Sequence, residues 1–158
     1  MGTTNDYRRY VEDAALQFEQ VGMSRSAGRI LGWLLIADPP HQSMNALVDA
    51  LQISKSSVSA ATQFLIRHDL IQRISLPGER PDYYRVTEGV WPNMMHQQIN
   101  QMILLRKLAE QGLDLLADQP VVRRERLQEM DDFYAFFEKE LPLLIERWKV
   151  ERSNGLKE

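Results

Sequence analysis

The 158-residue chain contains no cysteine. Disulfide staples, thiolate nucleophiles, thiol redox switches and cysteine-based zinc sites are thereby excluded together. Histidine is scarce as well. His41, His68 and His96 stand far apart, and none has the i, i+4 partner of a helical metal site, so no metal is expected. Long apolar runs are also missing: Leu31 to Ala37 falls well short of the roughly 18 to 20 residues that span a bilayer. The polar start, with Asp6, Arg8 and Arg9, lacks the charged-then-apolar order of an export signal. A cytoplasmic protein without a membrane partner is the expectation. There is no Gly-rich phosphate loop, no G-x-S-x-G elbow and no S-x-x-K, and Asp131 and Asp132 are adjacent carboxylates that most simply face solvent. The sequence therefore points away from an enzyme and calls for no cofactor.

What the chain has is hydrophobic content of 44%, enough for about one domain with a real core. Its net charge of −3 argues mildly against a nucleic-acid partner, which needs local positive potential. Distribution matters more than the total. From Ser54 to Leu105 the cations Lys55, Arg67, Arg73, Arg80 and Arg85 outnumber Asp69, Glu79, Asp82 and Glu88, while the rest of the chain is net acidic.

Tyr7, Val11, Ala14, Phe18 and Val21 recur at steps of four and three, one apolar stripe on a helix ending at Gly22. Ser24 can cap a second helix, whose Ile30, Leu31, Trp33, Leu34 and Leu35 make it apolar on most sides until Asp38-Pro39-Pro40 stops it. Ser43 then precedes a short amphipathic helix carrying Met44, Leu47, Val48 and Leu51. A three-residue connection, Gln52 to Ser54, follows.

Ser54 is placed to cap the next helix. Its inward stripe reads Val58, Ala61, Thr62, Leu65 and Asp69 at about 100° per residue. Ser56, Ser59, Ala60, Gln63 and Arg67 project the other way, with Lys55 in the first turn. Two short helices joined tightly, the second with a small-residue outer face, fit a helix-turn-helix. Small residues let a helix press close to the floor of a major groove about 12 Å wide. Gln63 could pair with an adenine edge, and the helix N-terminal amides and serine hydroxyls suit phosphate oxygens. The competing reading is an ordinary serine cap on a solvated face.

Ile71 to Leu76 alternates as a strand, Pro77-Gly78 is a turn signal, and Asp82 to Val86 is the return strand, favoured by Tyr83 and Val86. A hairpin directly after such a helix makes a winged helix. Arg80 at its loop suits a narrow minor groove, and Glu79, a poor phosphate neighbour, is expected to orient Arg80. The plain alternative is a connector with an exposed arginine.

Two long helical patterns follow Thr87. The first, from Trp91 to about Ala117, carries apolar residues on more than one face. In the second, Leu127, Met130, Tyr134, Phe137, Leu141, Leu144 and Trp148 alternate steps of three and four, a heptad seam. Pro142 should kink that helix near Glu138 or restart it. Surplus apolar surface on terminal helices joined to a winged helix suggests a homodimer on a pseudo-palindromic double-stranded operator, with half-sites about one DNA turn apart. The first helix, through Tyr7 and Val11, would share the dimer interface. Packing of the seam against the first helix of the same chain is the alternative.

The expected fold is mainly α with a small β-hairpin wing: an N-terminal helix over residues 1–22 contributing to dimerisation, a winged helix-turn-helix over 23–89 and dimerisation helices over 90–158. A winged helix that binds proteins rather than DNA is the other class in play.

The segments RSAGRILGWLLIADPPHQSMNALVDALQISKSSVS and LIQRISLPGERPDYYRV resemble the MarR superfamily of winged-helix transcription regulators. The likeness is greatest to its GbsR-like branch, with an R-x-x-G-R-x-x-G run, a S-K/R-x-x-x-S recognition helix and a G-E/D-R-x-x-Y/F wing. More narrowly, the chain resembles the mycobacterial MmpR-type repressors of lipid-transporter efflux pumps, a likeness continued by GLDLLADQP and RLQEMDDFYAF. The resemblance implies a dimeric repressor whose DNA affinity falls when a lipophilic small molecule binds between the winged-helix and dimer helices. It would control an efflux or transporter operon or, as in GbsR-type regulators, osmoprotectant genes. The matching recognition positions are Ser54, Lys55, Ser56, Ser57 and Ser59, and the matching wing positions are Gly78, Glu79, Arg80 and Tyr83. Pro81 departs from the pattern, since relatives often carry a second basic residue there. A family-type effector site would fall near Phe18, Trp33, Met94, Met95 and Met102. Flexible methionines suit irregular apolar guests, although ordinary core packing explains the same residues.

Overall fold

A computed structural model describes residues 4–155. The chain divides near Val90 into two compact units. The first begins with α1 (Thr4–Gln20), which buries Val11 and Ala15. Ser24 caps α2 (Arg25–Ile36), its Oγ accepting from the Ala27 amide at 3.2 Å. Gly28 and Gly32 explain how closely the two helices approach: a Cβ on Gly28 would stand 2.9 Å from the Ala15 Cα, and one on Gly32 would stand 2.8 Å from the Ala14 Cβ. The arginines of the same R-x-x-G-R-x-x-G run turn to α1. Arg25 Nη2 donates to Glu12 Oε2 at 2.8 Å, and Arg29 Nε lies 2.7 Å from Glu12 Oε1. Thus the run encodes one helix pair, with glycines for contact and arginines for a shared carboxylate.

β1 (His41–Ser43) precedes α3 (Met44–Leu51), which Ser43 caps through Ala46 N at 3.2 Å. Gln52 turns the chain at φ 52°, and α4 (Lys55–Arg67) starts after the Ser54 cap, whose Oγ accepts from Ser57 N at 3.1 Å. Val58, Ala61, Thr62 and Leu65 face inward as their spacing predicts. Asp69 does not belong to that stripe. It lies beyond the helix end, exposed, at φ 55°, because the chain has already turned toward the sheet. Thr62, the polar member of the stripe, satisfies its hydroxyl on the Val58 carbonyl at 2.8 Å, so its burial leaves no orphan donor.

β2 (Ile71–Ser75) and β3 (Asp82–Val86) form the hairpin, and β1 adds to the far side of β3 in an antiparallel sheet ordered β1-β3-β2. The third strand is absent from the sequence reading because His-Gln-Ser carries no apolar alternation. Tyr84, rather than Tyr83, is the tyrosine that enters the core, as Ile71 and Leu70 also do.

The second unit is a helical hairpin of α5 (Val90–Leu115) and α6 (Val121–Gly155). Arg106 fastens it. From α5 this guanidinium reaches Glu138 Oε2 at 2.8 Å and Asp131 Oδ1 at 3.1 Å on α6, and Glu138 first, then Asp131, raises its already high pKa further. Gly112 makes room for Leu127, whose Cδ1 would be 2.7 Å from a Cβ at that position. α6 runs through Pro142 as one helix, so the expected restart does not occur.

The described residues of α5 and α6 bury few side chains, chiefly Ile99, Ala109 and Ile145. Leu104, Leu108, Phe133, Phe136 and Leu143 stay largely exposed. The expected dimer residues differ in exposure within the chain. Val11 is 3% exposed and belongs to the winged-helix core, and the Leu127 side chain is used within its own chain against Gly112. Met130, Tyr134, Phe137 and Leu141 are half-buried, whereas Tyr7, Leu144 and Trp148 remain exposed.

Candidate nucleic-acid interface

The outer face of α4 presents Ser56, Ala60, Gln63 and Arg67 at i, i+4, i+7 and i+11, all exposed, with Lys55 beside them in the first turn. Lys55, Gln63 and Arg67 have no hydrogen-bond or ion-pair partner among the described residues, so their polar ends are open to a ligand. The serines at the helix start are less free. Ser54 Oγ lies 2.9 Å from Ser56 Oγ and 2.8 Å from Ser57 Oγ, a hydroxyl cluster centred on the capping residue. Ser54 is thereby committed to the cap, and Ser57 and Ser59 are only half-exposed.

The wing is built by a turn whose chemistry is local. Leu76 O accepts from Glu79 N at 3.1 Å, with Pro77 and Gly78 between them and Gly78 at φ 81°. That is a type II turn, in which proline presets the first central residue and glycine accepts the positive φ of the second. Glu79 departs from expectation: its Oε2 accepts from the Tyr83 hydroxyl at 2.9 Å instead of holding Arg80. The phenol, on the second residue of β3, reaches back across four residues to the end of the turn. The Tyr83 pKa is pushed up by the hydrogen bond to Glu79 first, then by desolvation and by the Glu79 charge.

Arg80 is consequently exposed and without a partner among the described residues. Arg73 is not free in the same way, since its Nη1 lies 3.5 Å from Asp82 Oδ2. The Tyr83 ring also meets His41 of β1 edge-on, with centroids 5.4 Å apart, a contact that sequence reading missed because it spans strands distant in the chain.

The expected effector residues are described within each unit. Trp33 lines a cavity of about 470 Å³ in the first unit, with Arg8, Glu12, Arg29 and Leu51. Met95 lines a different hollow of about 300 Å³ in the second, with Trp91, Leu141, Leu144 and Trp148, and its walls are almost wholly apolar. Phe18, Met94 and Met102 line neither of these. Among the described residues no group of histidines and carboxylates could hold a metal ion, and no helix is long and apolar enough to cross a membrane.

Residues 21–80 match the MarR family model, and residues 89–151 match the model described as MmpR5-like MarR family transcriptional regulator. The chain is 37% identical over 138 residues to the HTH-type transcriptional regulator MmpR5 of Mycobacterium tuberculosis (strain ATCC 25618 / H37Rv), covering 87% of this chain and 84% of that one. A crystal structure described as a transcriptional regulator superposes with a TM-score of 0.74 at 35% identity, over 91% of this chain and 98% of the other. These matches carry the MarR and MmpR5-like descriptions and do not extend to the GbsR-like branch.

Proposed function

Because the chain belongs to the MarR family of transcriptional regulators, we propose that it acts in the cytoplasm as a homodimer on double-stranded DNA, each protomer laying α4 in a major groove. The observation that carries this reading is the row of partnerless polar side chains, Lys55, Gln63 and Arg67, beside small Ser56 and Ala60. Arg80, released by the Glu79–Tyr83 bond, enters the adjacent minor groove, where a narrow groove concentrates negative potential. Gln63 pairs with an adenine edge, while Lys55 and the Ser56 hydroxyl meet phosphates. The overall charge of −3 does not oppose this, because the cations sit where the contacts form.

The regulator represses a transporter or efflux operon and is released by a lipophilic small molecule. Support for release comes from the apolar hollow beside Met95, whose Trp91 and Trp148 walls suit a hydrocarbon guest. The test is binding to the protein's own upstream intergenic DNA at graded salt. A log-log slope equivalent to several phosphate contacts is expected. No sequence-preferring binding at any salt would leave the winged helix as a protein-interaction module.

A further inference from the structure

Arg29 belongs to neither the proposed DNA-contacting surface nor the expected effector set, yet it joins three helices. Its Nε lies 2.7 Å from Glu12 Oε1 on α1, a charge pair in which the N–H is not aimed at the oxygen. Its Nη2 donates to the Leu51 carbonyl at 2.8 Å, across 22 residues of sequence. Leu51 is the last residue of α3, so its carbonyl is one of those a helix leaves without an intrahelical donor. Directly after it, Gln52 takes the left-handed conformation and Ser54 caps α4. The guanidinium therefore holds the turn of the helix-turn-helix at the point where the direction of α4 is set.

Three further features make this a defined post. The Gly28 and Gly32 contacts fix α2 against α1 to within a carbon atom, which fixes where the Arg29 side chain begins. Glu12 is itself held by Arg25, so the carboxylate beside Arg29 cannot swing away freely. Gln52 Nε2 donates to the Asp49 carbonyl at 2.7 Å, so side chains occupy two carbonyls of the final turn of α3.

We infer that Arg29 is a positioning residue for DNA recognition: through the Leu51 carbonyl it sets the presentation of α4, without touching DNA. The inference rests on the proposed DNA-binding function. It predicts that the bond to Leu51 governs affinity, whereas the pair with Glu12 governs stability of the α1–α2 contact.

The experiment compares Arg29→Met, Arg29→Gln and Glu12→Gln with the unsubstituted protein, measuring operator binding at graded salt, thermal unfolding and amide exchange over residues 52–57. Arg29→Met should lose about tenfold in operator affinity, the effect of one hydrogen bond from a charged donor, with the salt slope unchanged. Binding to non-operator DNA should hold. Arg29→Gln, which keeps a donor for Leu51, should retain most of the affinity. Glu12→Gln should lower the unfolding temperature while leaving operator affinity within about twofold, since it leaves the donor to Leu51 in place.

Affinity that simply follows unfolding temperature across all three variants overturns the inference in favour of a structural role. A slope reduced by about one with equal loss on all DNA makes Arg29 a phosphate contact and also overturns it. If Arg29→Met does not fold, the Arg29→Gln and Glu12→Gln pair decides, a larger affinity loss in Glu12→Gln being the refuting result. If the unsubstituted protein binds no DNA, the functional reading fails by itself. Amide exchange then decides about Arg29: faster exchange at residues 52–57 in Arg29→Met but not in Glu12→Gln keeps its hold on the turn, and unchanged exchange removes it.

Discussion

The Tyr83 hydroxyl and Glu79 Oε2, 2.9 Å apart, close the wing across its own turn and take the carboxylate away from Arg80. Tyr83→Phe removes that bond and leaves Glu79 free to pair with Arg80 or to face phosphate. Operator affinity should fall several-fold, and Glu79→Gln on top of Tyr83→Phe should restore most of it by deleting the competing charge. Failure of the double substitution to recover affinity would show that the tyrosine acts by some other route.

The same pair has a pH signature. The raised Tyr83 pKa means that the folded state favours the protonated phenol more than the unfolded chain does. Its contribution to stability is complete below the ordinary tyrosine value of about 10 and is lost as pH rises through the folded value. Ultraviolet titration should find a tyrosine step above the ordinary value of about 10, and Tyr83→Phe should abolish it.

Arg80→Ala tests the wing itself. A loss of about 1 to 3 kcal/mol in binding is expected if the guanidinium enters an electronegative groove. An undiminished affinity in a titrated gel shift would take the wing out of recognition.

Acid should weaken the α1–α2 contact through Glu12. Its carboxyl is held below the ordinary range by the Arg25 hydrogen bond first, against an opposing desolvation, with the charges of Arg29 and Arg25 adding to it. The resulting stability is present above the ordinary glutamate value of about 4.3 and disappears as pH falls through the depressed value. Urea midpoints measured from neutral pH to pH 3 should drop less steeply for Glu12→Gln than for the unsubstituted protein.

What the sequence discloses follows the range over which its forces act. The caps at Ser24, Ser43 and Ser54 need only a neighbour three residues on, and each occurs where its residue type predicts. The inward stripe of α4 and the Pro77-Gly78 turn are legible for the same reason. Long-range choices are not. Glu79 had two nearby partners, Arg80 and Tyr83, and only the geometry of the turn selects the phenol. β1 depends on an edge of β3 that lies 40 residues away in sequence, and the bond from Arg29 to Leu51 joins residues with no shared pattern. The heptad seam leaves its partner open. Its period is real, but a period does not say whether the partner helix comes from the same chain, and Leu127 finds Gly112 of its own α5.

That distinction yields the prediction for assembly. Phe133 and Phe136 are 55% and 60% exposed, and Leu104 and Leu108 are 66% and 57% exposed, large apolar side chains of the kind that an interface covers. Half-buried Phe137 touches both rings, with centroids 4.8 Å from Phe133 and 5.5 Å from Phe136. Phe136→Glu should therefore give a folded monomer by light scattering, with helical circular dichroism preserved and operator binding weakened because the second half-site contact is lost. Phe137→Ala should instead keep the dimer and lower thermal stability. Exchange of those two outcomes would place the interface on the seam, and a dimer that survives both Phe136→Glu and Leu108→Glu would move it off this face altogether.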